Sequence, residues 1–206
     1  MTDTSADALR GFSDALRETP VRALDAATRA LNDAADYARE AGAVEITRRY
    51  RLEKAYVDKH LKVDKEAKRT DLEAKVSAKR RSVLAPRYGA RQALAAAAGA
   101  AGDPSRGIPS GKKGAGSTPW SVLRGGATKR WRNAFFVRLK GSGALGMVAR
   151  YGSGEGLSPE QDWAQNLDVV HSTSVDQAWR DVREEVTPAA MALAQEIFLL
   201  EMERAR

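Results

Sequence analysis

The chain has 206 residues, 43% of them hydrophobic, but alanine supplies much of that fraction and aromatic residues only 6%. Its length is that of one ordinary domain with a thin core, and 34 Lys+Arg against 27 Asp+Glu give +7, a field that favours polyanions: nucleic acid or an acidic protein surface. Cysteine is absent, which excludes disulfides, zinc–thiolate sites and cysteine nucleophiles; the start, MTDTSADALRGF, has no basic-then-apolar signal pattern, and the alanine-rich run 93–98 is far too short to span a bilayer, so no membrane partner is expected.

In chain order, residues 1–19 read as a helical lead-in, with Leu9, Phe12 and Leu16 on one side, before a single domain over 20–206. Thr19-Pro20 reads as an N-cap followed by proline at the first helical position. Val21, Leu24, Thr28, Leu31, Ala35 and Ala38 then form one helical face that ends near Gly42. Thr47 is expected to cap a second helix over about 48–61. Between 48 and 81 stand thirteen Lys/Arg and six Asp/Glu, a local +7 equal to the whole formal charge. That excess is either a solvated helix face with pairs such as Asp58–Lys62 and Asp64–Lys68, or a basic surface for phosphate or an acidic partner. The candidates for such a surface are Arg48, Arg49, Arg51, Lys54, Lys62, Lys65, Lys68, Arg69, Arg80 and Arg81.

Residues 71–79, DLEAKVSAK, alternate with period two like a half-buried strand, yet Ala, Glu and Lys also favour a continued helix; pattern alone leaves both open. A short extended piece at 82–85 stops at Pro86. Residues 97–118, rich in Gly, Ala, Ser and Pro, read as a mobile loop between strands. Two short strands, 133–139 and 144–151, flank Gly141-Ser142-Gly143 as a hairpin, with Arg138 and Arg150 near their ends. Another glycine turn follows at 152–156, then an extended piece at 166–170. Ser174 with Gln177 forms a capping box for a last helix, which Pro188 kinks or divides, with Thr187 as a local cap. The fold class expected is α+β: long N-terminal helices, a small antiparallel sheet with a central hairpin, and a C-terminal helix.

No catalytic constellation emerges. His60 reads as an exposed side chain of the basic helix, and His171-Ser172 lacks a third, orienting group. Two distant histidines make no metal site, and no cofactor is expected. GKKGAGST lacks the Gly-Lys-Ser/Thr of a phosphate-binding loop, and Gly141, Gly143 and Gly146 serve a turn because a strand, not a helix, follows them. Trp120, Trp131, Phe135 and Phe136, beside Arg130, Arg132 and Arg138, are either a base-stacking platform or the heaviest part of a small core, and the core reading is preferred. Phe135 and Phe136 are expected on opposite strand faces.

An alanine-rich helix leads to a basic segment and DLEAKVSAKRRSVLAPRYGARQ; a glycine-rich loop, AFFVRLKGSGALGMVARYG and LDVVHSTSVDQAW follow before the last helix. This order of parts resembles the minor tail protein Z and related tail-completion proteins of long-tailed bacteriophages. Ala134, Phe135, Phe136, Gly143, Gly146, Val148 and Arg150 carry the likeness, with residues 172–175; it spans roughly 20–200, and the longer insertion at 95–116 departs from it. The resemblance implies a non-enzymatic virion protein at the head-proximal end of the tail, present in the host cytoplasm during assembly. It implies a homo-oligomeric ring around the DNA path, six copies by tail symmetry, beside tail terminator, tail tube or head-completion proteins. The other function open to the residues is a free nucleic-acid-binding protein using 48–81.

Overall fold

A computed structural model describes residues 21–132, 134–150 and 167–204 of the chain, which is α+β. Helix α1 (Val21–Arg49) and the short α2 (Lys54–His60) precede the hairpin strands β1 (Leu61–Lys65) and β2 (Lys75–Ala78). Then come β3 (Val83–Leu84), a 3-10 turn (Ala85–Tyr88), β4 (Gln92–Ala96), a second 3-10 turn (Pro104–Arg106) and β5 (Lys112–Ser117). Strands β6 (Ala134–Arg138), β7 (Leu145–Arg150), β8 (Leu167–Val169) and β9 (His171–Ser172) lead to α3 (Val175–Arg204). The lead-in 1–19, the Thr19-Pro20 start and the turn at 152–156 lie outside the described residues. The region read as one domain divides into two compact units: unit 1 takes the chain up to Arg48, Glu53–Arg81 and the stretch from Ser174, and unit 2 takes Arg49–Leu52 and Ser82–Thr173.

Unit 1 is built on an alanine stripe. Ala23, Ala26, Ala27, Ala30, Leu31, Ala34 and Ala35 are buried at helical spacing, and Gly42, Ala43 and Ile46 continue the stripe. Of the expected face, Leu31 and Ala35 are buried and Leu24, Thr28 and Ala38 half-buried, but Val21 is 61% exposed and the stripe turns toward Ala23, Ala26, Ala27 and Ala30. The helix also does not end near Gly42 but runs on to Arg49. Gly42 is a point of close approach, since a Cβ there would overlap the indole ring of Trp179 on α3. Arg29 pairs with Glu201 at 2.6 Å, so α1 and α3 run in opposite directions.

The helix expected over 48–61 is not formed as such. Thr47 lies inside α1, where its hydroxyl donates to the carbonyls of Ala43 and Val44 at 3.0 and 2.8 Å instead of capping a new helix. The chain becomes helical again only at Lys54–His60 and then extends as β1. His60 is half-buried, with Nδ1 2.7 Å from the Tyr56 carbonyl and its ring 4.2 Å from that of Tyr56. The ambiguity at 71–79 resolves as strand: β2 pairs antiparallel with β1, Leu61 opposite Ala78 and Val63 opposite Val76. The Asn32 amide docks the intervening loop onto α1, accepting from Ala67 N at 2.7 Å and donating to Ala67 O at 3.2 Å. Ala67 and Leu72 there pack with Ala27 and Leu31, against which Phe198 of α3 also lies.

The start of α3 is the expected capping box, with Gln177 N donating to Ser174 Oγ at 3.1 Å and Ser174 N to Gln177 Oε1 at 3.0 Å. Pro188 does not divide the helix, which is continuous through Arg204. Thr187 is no cap; its hydroxyl donates to Arg183 O at 2.7 Å. Val182, Val186, Ala190 and Ala194 keep one buried face on either side of the proline, and that packing holds the helix together where one backbone donor is missing.

Unit 2 is a set of small antiparallel sheets: β3–β9, β4–β5 and the three-stranded β6–β7–β8. Its core holds Tyr88, Phe136, Met147, Val83 and Trp120. Residues 49–52 join it as an extended stretch, Arg51 N donating to Val122 O at 2.9 Å and Arg124 N to Arg49 O at 2.8 Å. The anticipated hairpin is present, Phe135 facing Val148 and Phe136 facing Met147, with Gly141 and Gly143 in the positive-φ conformations the turn needs. Phe136 is 1% exposed and Phe135 half-buried, so the two do alternate faces.

As a connection between strands, the loop reading of 97–118 holds for 97–111 but not for 112–117. Residues 112–117 form β5 along β4, and the connection carries its own bonds: Ala97 N to Gly111 O at 2.9 Å, Asp103 N to Ile108 O at 2.7 Å and Ile108 N to Asp103 O at 2.9 Å. Ile108 is buried. Ser105 and Arg106 hydrogen-bond the Asp103 carboxylate, in that order of effect, and hold it below the ordinary range. Low hydrophobicity concealed a hairpin whose stability comes from backbone pairing and turn geometry.

Candidate functional site

The ten basic candidates divide between the two units and differ in their pairing. Arg49 and Arg51 belong to unit 2, and the other eight to unit 1, where four are engaged locally. Arg48 pairs with Glu45, Arg69 with Asp25, and Lys54 with Asp58 at 2.7 Å. Lys65 reaches both Asp71 and Glu73 at 2.6 Å. Those bonds, Asp71 first, raise the Lys65 pKa above the ordinary lysine value, so its contribution is complete at neutral pH and lost only as pH rises through that raised pKa. Lys62, Lys68, Arg80 and Arg81 are exposed and have no ion pair among the described residues. The anticipated pairs Asp58–Lys62 and Asp64–Lys68 are absent because Lys62 sits in β1 and Lys68 in the following loop, off any helix.

Charge is segregated by unit. The described residues of unit 1 carry seventeen Lys/Arg and eighteen Asp/Glu, so the excess at 48–81 is cancelled by acids on α1 and α3. Those of unit 2 carry fourteen Lys/Arg against only two acids, Asp103 and Asp168, a surplus of twelve. Asp103 is already bound to Arg106. The three acids of 151–166, Glu155, Glu160 and Asp162, would lower the surplus to nine. Ten of the fourteen bases are arginine.

The backbone gathers part of this charge. Thr118 N donates to Arg91 O at 2.8 Å, and Ser117 N to Trp131 O at 2.8 Å. Two residues on, Trp120 and Lys129 exchange bonds of 3.0 and 2.7 Å. The stretch 117–120 thus lies between Arg91 on one side and 129–132 on the other. Arg91, Lys129, Arg130 and Arg132 are all exposed, with no ion pair among the described residues.

Two residues hold this arrangement. Gly116, at φ +82°, lets the backbone of Trp131 and Arg132 pass directly over β5. Gln92 of β4 donates to Gly116 O at 2.7 Å and accepts from Phe136 N at 3.1 Å, tying β4, β5 and β6 together. Gln92→Leu leaves those two backbone groups unpaired, and an expected loss of roughly 2–3 kcal/mol will appear as a lower urea midpoint at unchanged m-value.

The hairpin residues have structural roles. Arg138 is exposed and its guanidinium donates to Gly143 O at 3.3 Å across the turn, and Gly146 lies in β7 against Leu139. Arg150 ends β7 opposite Leu167. The aromatic quartet is mainly core, since Trp120 and Phe136 are buried and Trp131 and Phe135 half-buried. His171 is exposed on β9, and Ser172 beside it points to the other strand face, a poor arrangement for a nucleophile and base. Among the described residues no three His, Asp or Glu side chains gather as a metal site, and no helix is long and apolar enough to cross a membrane.

No protein-family model, curated protein or solved structure matches this chain.

Of the basic residues of unit 2, only Arg130, Arg132 and Arg138 stand out locally in the sequence, although a broader signal exists. Between Glu73 and Glu155 the only acid is Asp103, against sixteen Lys/Arg. The run 48–81 is the more conspicuous because its bases are close together, although acids are also dense there.

Proposed function

We propose that this protein is a structural, non-enzymatic subunit at the head-proximal end of a long phage tail, completing the tail and helping to join it to the head. The observation that carries the reading is the glycine-turn hairpin β6–β7 within a chain framed by helices of 29 and 30 residues, the second opened by the Ser174–Gln177 box. That is the element order on which the tail-completion resemblance rests. The surplus charge of unit 2 suits a ring around a DNA path. Val21 at the start of α1 and Leu199 and Leu200 near the end of α3 are 61, 62 and 45% exposed, and the opposed helices bring them to the same end of unit 1. Such apolar positions suit contact with further copies or with tail terminator, tube or head-completion proteins.

In this reading the protein resides in the virion neck, in six copies by the symmetry of the tail. Purified particles are expected to contain it, with ring density at the tail–head junction in cryo-electron microscopy. Particles lacking the protein would overturn the proposal.

A further inference from the structure

We infer that unit 2 binds duplex DNA through the sugar–phosphate backbone, where backbone pairing sets the exposed Arg91, Lys129, Arg130 and Arg132 on either side of residues 117–120. That phosphate is the ligand follows from the charge. Fourteen bases face two acids in the described part of the unit, and the four named side chains are exposed and without ion pairs there. Such unneutralised cations gain most from a polyanion that releases its counterions on contact. Arginine predominates, and its planar fork matches phosphate oxygens two at a time.

Duplex is favoured over single strands by the aromatic residues. Binding of unpaired bases relies on exposed rings for stacking. Among the described aromatic residues of unit 2, Tyr50, Tyr88, Trp120 and Phe136 are buried, and Trp131 and Phe135 are half-buried. None is an open platform. Outside, beside the exposed Leu94, Leu123 and Leu145, the described surface carries charge and glycine-rich backbone, which position a protein on a duplex without reading sequence. The choice of DNA as the duplex rests on the tail reading above; the choice of phosphate does not.

The test is fluorescence anisotropy of the full chain with a random-sequence DNA duplex between 50 and 200 mM salt. Binding is expected to weaken steeply over that range, independently of sequence. The variant Arg91→Gln/Lys129→Gln/Arg130→Gln/Arg132→Gln is expected to bind at least tenfold more weakly at 50 mM, with the log–log salt slope reduced by roughly 3–4. A control that removes equal charge from unit 1, Lys62→Gln/Lys68→Gln/Arg80→Gln/Arg81→Gln, is expected to stay within about twofold of the unmodified chain because those residues make no phosphate contact. Should the quadruple unit 2 variant not fold, Lys129→Gln and Arg130→Gln singly carry the same test, each reducing the slope by about 1.

Equal losses in the two sets, absence of salt-dependent binding by the unmodified chain, or tighter binding to phosphatidylserine vesicles than to duplex would each overturn the inference. Failure here is separable from failure of the tail reading. A chain found in particles but unable to bind duplex defeats only this inference, and one that binds duplex but is absent from particles defeats only the tail role.

Discussion

Replacing Gly116 by alanine is expected to destabilise unit 2 by roughly 3 kcal/mol, about 1–2 from the left-handed backbone and the rest from overlap. The position has φ +82°, and a Cβ would lie 2.6 Å from Arg132 O and 2.8 Å from Arg132 Cα. Those are backbone atoms, so no rotamer change relieves the contact. Gly111→Ala is the natural comparison: its φ is +75°, but the space around it is open. It should show only the conformational part, about 1–2 kcal/mol. Urea unfolding of both variants measures the difference, and equal midpoints would mean that the close approach contributes nothing. Because 131–132 must shift, Gly116→Ala should also weaken duplex binding without any change of charge.

The second large effect is a reversal of sign at Gly42. In a helix interior, alanine is favoured over glycine by about 1 kcal/mol. Here the added methyl meets Trp179, with Cε3 2.9 Å and Cη2 3.3 Å from the Cβ position and Cζ3 closer still. Gly42→Ala is therefore expected to destabilise the protein by about 1–2 kcal/mol, as overpacking does. In a Trp179→Ala background the same change should stabilise it by about 1 kcal/mol. The coupling of roughly 2–3 kcal/mol would be read by thermal or urea unfolding of the four proteins. Additive behaviour would refute the account of why α1 carries a glycine.

Local chemistry was legible wherever one short segment decides the outcome. Gly141-Ser142-Gly143 specified its hairpin, Ser174 and Gln177 their capping box, and the alternation at Phe135-Phe136 the inward and outward faces. Distant partners were not legible. Gly42 looks like a helix stop until Trp179, far along the chain, is seen to fill its place. Thr47 looks like a cap until its hydroxyl turns back onto Ala43 and Val44. Residues 97–118 look unstructured because glycine and alanine have little side chain to bury, yet β4 and β5 are held by backbone bonds and by Gln92. The distribution of charge between the units was hidden for a related reason. The positive run at 48–81 is close in sequence to its own acids and is met by more from α1 and α3, whereas the bases of unit 2 are spread thinly over a long acid-poor stretch that folding draws together.

The division of the chain bears on the order in which the protein can form. Unit 2 has its last residue at Thr173, whereas unit 1 needs α3, which begins at Val175 and pairs Glu201 with Arg29. During synthesis from the N-terminus, α1 and the β1–β2 hairpin must therefore wait, the α1 stripe covered only in part by Ala67 and Leu72, until α3 has left the ribosome. The basic unit can assemble first, so nascent chains would hold a folded cationic module before unit 1 is complete.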